Sequence, residues 1–123
     1  MQAPLRITFR HIPQSDALES RIREKRDKLV SVYPEIVSCD ATVEQLDRHR
    51  QQGRQFRVSI HAHIPGETLA ATADHEDVYV ALRDAFTAMR RQLGKAIGAR
   101  QDELKAAPAR DVAERSSAGD SAA

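Results

Sequence analysis

The chain has 123 residues, which fits one domain with a single modest core better than two domains. Its 41% hydrophobic and 30% charged residues are typical of a soluble globular protein. The apolar runs are shorter than the ~20 residues that span a bilayer, and the first residues lack the apolar centre of a signal peptide, so we expect a cytoplasmic protein with no membrane partner. The lone Cys39 excludes an internal disulfide and a cysteine zinc site.

The charge is unevenly distributed along the chain. Residues 1–100 contain 16 Lys and Arg against 13 Asp and Glu, a net charge of +3, whereas residues 101–123 contain 3 against 5, a net charge of −2. The overall net charge of +1 therefore hides a basic body. Because the distribution of charge matters more than its total, nucleic acid stays among the candidate partners.

The N-terminal third predicts a strand followed by a helix. The segment LRITFR alternates apolar and polar residues, as a half-buried strand does. Ser15 or Asp16 is a suitable N-cap, and Glu19 stands three residues after Asp16, as in a capping box. Pro34 should end the helix one or two residues earlier. The apolar stripe of this helix consists of Leu18, Ile22, Leu29 and Val32.

Three further strands are predicted in the middle of the chain. The segments IVSCDATVEQL, FRVSIHAHI and TLAATA alternate with period two, and PGE between the last two is a tight turn. A meander of three antiparallel strands follows from this pattern. Its outward positions include Arg57, His61 and His63.

The segment DHEDVYVALRDAFTAMRRQLGKAIGAR predicts a second, longer helix that ends at about Arg100. Its apolar residues recur at helical spacing, at Val78, Leu82, Ala85, Phe86, Met89, Leu93 and Ile97. The remaining residues are small and polar and include Pro108, so we expect residues 101–123 to form a flexible tail, with room for one helical extension at its start.

The resulting order, β-α-β-β-β-α, predicts an α+β fold of two layers. Each strand has one apolar face and each helix has one apolar stripe. Both helices are therefore expected to pack on the same face of a four-stranded sheet. Residues 1–100 would form this domain and residues 101–123 the tail.

Cations follow both predicted helices at helical spacing. On the first helix these are Arg21, Lys25 and Lys28, and on the second Arg83, Arg90, Arg91 and Lys95. If the helices lie side by side, the two cationic ridges face a common groove that can neutralise several phosphates. Ordinary solvated helix faces are the alternative. Glu24 and Asp27 favour that alternative on the first helix, whereas the second helix has almost no acid.

Motifs for catalysis or metal binding are weak. His61 and His63 project from one strand face but lack a third ligand, because Cys39 is predicted on the other face. The sequence contains no Gly-rich phosphate loop, GxSxG or HExxH, and helix capping explains the acids of DHED. We therefore expect a binding protein rather than an enzyme, with no cofactor, metal or small-molecule substrate.

Two long segments carry a family resemblance that covers roughly residues 4–97. They are ALESRIREKRDKLVSVYPEI and IHAHIPGETLAATADHEDVYVALRDAFTAMRRQLGK. The second contains a Pro-Gly turn, an A-x-A strand, Asp-x-Tyr at Asp77 and Tyr79, and Arg-Gln-Leu-x-Lys, in this order. With these motifs the chain resembles the short type of the S30AE family, which comprises ribosome hibernation-promoting factors and the ribosome-associated inhibitor A.

The resemblance implies a fold similar to a double-stranded RNA-binding domain and a target, the small ribosomal subunit. Such proteins occupy the channel for messenger and transfer RNA on the 16S ribosomal RNA and inhibit translation under stress or in stationary phase, without chemistry. By position, the resemblance implies RNA-binding roles for Lys25, Lys28, Arg91, Gln92 and Lys95. The helix geometry adds Arg21, Arg83 and Arg90 to this set. A monomer is expected off the ribosome, and a short-type member is not expected to pair ribosomes unaided.

Some positions depart from the family pattern. Relatives often carry basic residues at three positions that are apolar here, Ala88, Ile97 and Ala99. This difference indicates that the second helix contacts RNA more weakly or in a shifted register. A general double-stranded RNA-binding module or RNA chaperone with the same fold stays open as an alternative. A small metal-dependent protein built around His61 and His63 is a third hypothesis.

Overall fold

A computed structural model describes residues 3–46 and 55–112 of the chain, with side chains described as far as residue 103. The predicted β-α-β-β-β-α order is confirmed. The elements are β1 (Leu5–Arg10), α1 (Asp16–Val32), β2 (Ser38–Leu46), β3 (Gln55–Ile64), β4 (Glu67–His75) and α2 (Val78–Val112). The basic segment DRHRQQGR, residues 47–54 between β2 and β3, lies outside the described residues.

The four strands form one mixed sheet in the order β1-β2-β3-β4. The predicted antiparallel meander of β2, β3 and β4 is confirmed. Strand β1 pairs with β2 in parallel, with α1 as the crossover between them. The register aligns Ile7, Ala41, Ile60 and Ala71 in one row across the sheet, and Thr8, Thr42, Ser59 and Thr72 in the next row. Because neighbouring rows point to opposite faces, one face is apolar and the other polar.

The apolar face is covered by both helices and forms the core. Val43, Val58 and Ile60 from the sheet are fully buried, as are Ile22 of α1 and Leu82 of α2. Burying each such side chain stabilises the fold by roughly 1.5 to 3 kcal/mol relative to leaving it exposed. The uncovered face carries Arg57, which forms an ion pair of 2.8 Å with Asp74, and a hydrogen bond of 3.3 Å from Thr72 Oγ1 to Ser59 Oγ.

Helix α1 begins and ends where its capping residues require. The Ser15 side chain accepts a hydrogen bond of 3.2 Å from the backbone N–H of Leu18, so Ser15 is the N-cap and the alternative with Asp16 as the cap is wrong. The last helical residue is Val32, one position before the C-cap Tyr33. Pro34 then prevents continuation, as predicted.

Helix α2 is longer than the sequence pattern indicated. It continues past Arg100 to Val112, so the helical extension covers residues 101–112 and includes Pro108. The last part of the expected flexible tail, residues 113–123, lies outside the described residues. The chain divides into two compact units, Met1–Gln92 and Leu93–Ala123. The boundary at residue 100 between a domain and a tail stays a prediction.

Candidate nucleic-acid interface

A cleft of about 350 Å³ lies between α1 and α2 in the first unit. Each helix contributes four positions at the spacing i, i+3, i+4 and i+7, and α1 adds Ser31. These positions are Lys25, Lys28, Leu29 and Val32 on α1, and Arg83, Phe86, Thr87 and Arg90 on α2. Because residues with this spacing share one side of a helix, each helix presents a single stripe to the cleft. Each stripe is about 10 Å long, because it spans seven residues and an α-helix rises about 1.5 Å per residue.

The floor of the cleft is apolar. Leu29 and Phe86 are nearly buried, with 2% and 6% of their surface exposed, whereas Val32 is 52% exposed. The sequence pattern placed all three side chains in the core. Val32 departs from that expectation because it is the last residue of α1, where the helix ends. The result is apolar surface that is open to a ligand.

Three of the four cations on the rim of the cleft have no carboxylate partner among the described residues. Lys25, Lys28 and Arg90 form no hydrogen bond or ion pair with any described residue, and no acid is among the residues that line the cleft. These three positive charges on facing helices are therefore not neutralised within the part of the chain that the structure describes. Such an arrangement is suited to phosphate groups, which would reduce the mutual repulsion of these side chains.

Arg83 is the fourth cation of the cleft, and it has an acidic neighbour. Its Nε and Nη2 both donate to Asp84 Oδ1, at 3.2 and 3.1 Å. The two side chains are 64% and 47% exposed, and an exposed ion pair of this kind contributes little free energy. Since the guanidinium has five N–H donors, Arg83 keeps donors for an anion in the cleft.

Arg21 lies apart from the other predicted site residues. Its guanidinium carbon is 5.5 Å from the centre of the Tyr79 ring, a cation–π contact between α1 and the start of α2. It also forms an exposed ion pair of 3.7 Å with Glu24. The structure therefore places Arg21 outside the residues that line the cleft.

The remaining predicted site residues also lie outside the cleft lining. Arg91 is exposed on α2. The side-chain nitrogen of Gln92 donates to the Ala70 carbonyl of β4 at 2.6 Å, which leaves its second N–H and its carbonyl oxygen for other contacts. Lys95 is exposed in the second unit. RNA binding by these residues stays a prediction.

His63 on the uncovered sheet face is engaged with neighbouring side chains. Its Nε2 lies 3.0 Å from Asp40 Oδ2 and its Nδ1 lies 2.9 Å from Thr68 Oγ1. A metal at His63 would have to displace one of these contacts. Over residues 3–46 and 55–103, no three His, Cys, Asp or Glu side chains converge as metal ligands. These contacts do not support the metal hypothesis.

The single cysteine is buried in the core and stays protonated at neutral pH. Burial raises the pKa of Cys39 to about 11, although the positive charge of Arg26 opposes this rise. A thiol needs the thiolate form to act as a nucleophile or metal ligand. Cys39 therefore has a packing role.

Arg26 was not recognised as a structural residue from the sequence. It is 6% exposed and donates from Nη1 to the Ala3 carbonyl at 2.5 Å and from Nε to Asp27 Oδ1 at 2.7 Å. Its position, four residues after Ile22 and three before Leu29, fills the gap in the apolar stripe of α1. That spacing was the available signal that Arg26 faces inward and does not belong to the cationic ridge.

The fold and the cleft define a small α+β protein with a cation-lined surface between its two helices. The family model described as Sigma 54 modulation protein / S30EA ribosomal protein matches residues 5–101. The chain belongs to this family, which is ribosome-associated. No curated protein sequence matches the chain significantly.

Solved structures share the fold. A ribosomal subunit interface protein from Coxiella burnetii superposes with a TM-score of 0.67 at 19% identity, covering 77% of this chain and 98% of that one. The N-terminal domain of Protein Y from Thermus thermophilus gives a TM-score of 0.58 at 20% identity, with the same coverage of 77% and 98%. At these identities the likeness establishes the architecture. Neither helix, over the residues that the structure describes, combines the length and apolarity that a membrane crossing needs.

Proposed function

We propose that this protein is a hibernation factor that binds the small ribosomal subunit and inhibits translation under stress or in stationary phase. The observation that carries the proposal is a cleft in a member of a ribosome-associated family. Among the described residues its lining includes no acid, and three of its cations, Lys25, Lys28 and Arg90, have no ion-pair partner. The partner surface is 16S ribosomal RNA, and the cytoplasm follows as the location because the ribosome is there.

The proposed mechanism is occupancy of the channel for messenger and transfer RNA. Phosphates of the RNA take the place of counterions at the cleft, and the released counterions favour binding. These contacts fix the position of the protein on folded RNA without reading its sequence. No bond is made or broken, so the activity requires no catalytic residue.

Co-sedimentation with purified small subunits tests the proposal. We expect the wild-type protein to pellet with small subunits and to reduce translation in a cell-free system. The triple variant Lys25→Gln, Lys28→Gln, Arg90→Gln should lose most of this binding and inhibition. Its matched control is Arg6→Gln, Arg10→Gln, Arg23→Gln, because these three arginines are exposed, lie outside the cleft and give the same change in net charge.

The salt dependence of binding gives a second, quantitative readout. If all three cations contact phosphates, the triple cleft variant should reduce the slope of log affinity against log salt by about 2 to 3, whereas the control variant keeps the wild-type slope. Equal loss of binding in both variants would show that net charge, rather than the cleft, determines binding. A wild-type protein that does not pellet with small subunits would contradict the proposed function.

A general double-stranded RNA-binding module is the second candidate, since cations that contact phosphates do not by themselves select one RNA. Competition with free duplex RNA separates the two functions. Duplex RNA that displaces the protein from small subunits as effectively as added free subunits would favour the general module. Displacement only at a large excess of duplex would favour the ribosome as the specific target.

A further inference from the structure

The cleft has a shape and a lining that phosphate contacts alone do not require. It is an open groove of about 350 Å³ with side chains of both helices on its walls. Between the cations lies an apolar floor whose exposed surface belongs mainly to Val32, since Leu29 and Phe86 are nearly buried. A surface that contacted only phosphates would gain nothing from this concave apolar centre.

A regular RNA duplex would leave that floor uncovered. The faces of its bases are stacked in the interior of the helix, and its outer surface presents ribose, phosphate and the polar edges of the bases. The duplex can bring phosphates to Lys25, Lys28, Arg83 and Arg90 on the rim of the cleft. The exposed side of Val32 would then face polar groups or water, and its apolar surface would contribute no binding free energy.

An unpaired nucleotide matches both parts of the cleft. We propose that the cleft receives one unpaired nucleotide of an RNA chain, with its flanking phosphates on the cationic rim and its base and ribose against the apolar floor. This inference rests on the proposed function, because it assumes that RNA is the partner. Burial of the exposed apolar surface of Val32 would favour binding of the unpaired nucleotide.

The cleft offers few groups that could distinguish one base from another. Thr87 is exposed and makes no hydrogen bond with a described residue, so its hydroxyl is available. The Ser31 hydroxyl already donates to the Lys28 carbonyl at 2.8 Å and can still accept a hydrogen bond. Phe86 is too deeply buried to stack its ring face on a base. We therefore expect the cleft to distinguish unpaired from paired nucleotides more strongly than one base from another.

Three RNA hairpins that differ at one position test the inference. The first has a fully paired stem, the second carries a single bulged nucleotide, and the third carries an abasic bulge with the same phosphate and ribose. Affinities are measured at one salt concentration. We expect the bulged hairpin to bind about fivefold more tightly than the paired hairpin, and the abasic bulge to lose that advantage.

A matched pair of valine variants connects this preference to the cleft. Val32→Asn places a polar group on the floor, whereas Val37→Asn changes a valine of similar exposure, 56% against 52%, that does not line the cleft. Val32→Asn should reduce the preference for the bulged hairpin to less than about twofold, and Val37→Asn should preserve it. Thermal unfolding of both variants establishes that each is folded.

The possible outcomes separate this inference from the proposed function. Equal affinity for all three hairpins, or equal effects of the two valine variants, would overturn the inference while binding to small subunits persists. Free adenosine monophosphate that binds as tightly as the bulged hairpin would also overturn it, because the occupant would then be a free nucleotide. If the protein binds neither the hairpins nor small subunits, the proposed function fails together with this inference.

Discussion

At the scale of single residues, a buried arginine and an exposed cation have opposite roles on the same helix. Arg26 and Lys25 are neighbours in the chain, but Arg26 is 6% exposed and hydrogen-bonded to the Ala3 carbonyl, whereas Lys25 lines the cleft without a partner among the described residues. The first connects α1 to the segment before β1 and the second leaves its charge available to a ligand. Basic residues on one helix therefore cannot be treated as one set.

Replacing Arg26 should destabilise the fold more than replacing another arginine of α1. Arg26→Leu removes the donor to the buried Ala3 carbonyl, and an unsatisfied buried acceptor costs about 1 to 3 kcal/mol. Urea unfolding measures this loss of free energy. The control Arg23→Leu changes an exposed arginine of the same helix and should alter stability by less than about 0.5 kcal/mol. Equal effects of the two variants would mean that the Arg26 hydrogen bond is not stabilising.

At the scale of elements, the start of α1 depends on one side chain. The Ser15 hydroxyl accepts the Leu18 N–H, one of the amide groups at a helix start that have no partner within the helix. Ser15→Ala should therefore lower the free energy of unfolding by about 1 kcal/mol. Ser20→Ala, at an exposed position within the same helix, should be neutral or slightly stabilising because alanine has the higher helix propensity. A Ser15→Ala variant as stable as wild type in urea unfolding would contradict the capping role.

The elements that the sequence predicted well are those with a clear period. The alternation in FRVSIHAHI corresponds to β3, and the stripe from Leu18 to Val32 corresponds to α1. The sequence pattern did not predict the end of α2. Pro108 favours a tail, but the helix continues through this residue to Val112. The parallel pairing of β1 with β2 is a long-range contact that no local pattern specifies.

The cleft could be predicted only in part for a similar reason. Helical spacing places Lys25 and Lys28 on one edge of α1 and Arg83 and Arg90 on one flank of α2, which was enough to expect facing cations. Whether a cation lines the cleft also depends on the other side chains that it can contact. Arg21 contacts the Tyr79 ring instead, a partner 58 positions away in the chain that spacing on one helix cannot reveal.

At the scale of the whole molecule, charge is divided between a basic body and an acidic C-terminal segment. Residues 1–100 carry a net charge of +3 and residues 101–123 a net charge of −2. Where the structure describes side chains of this segment, at residues 101–103, they are exposed. The net negative charge of the segment should therefore oppose RNA binding.

Removal of residues 101–123 should leave the fold intact and strengthen binding to small subunits at low salt. The net charge rises from +1 to +3, and the effect should be strong at 0.01 M ionic strength, where the screening length is about 30 Å, and absent at 1 M, where it is about 3 Å. The full-length variant Asp102→Asn, Glu103→Gln reaches the same net charge and serves as the matched control. Thermal unfolding and co-sedimentation across this salt range measure both effects. If the shortened chain binds more weakly while the control binds more tightly, the segment contributes contacts of its own, and the division at residue 100 is wrong.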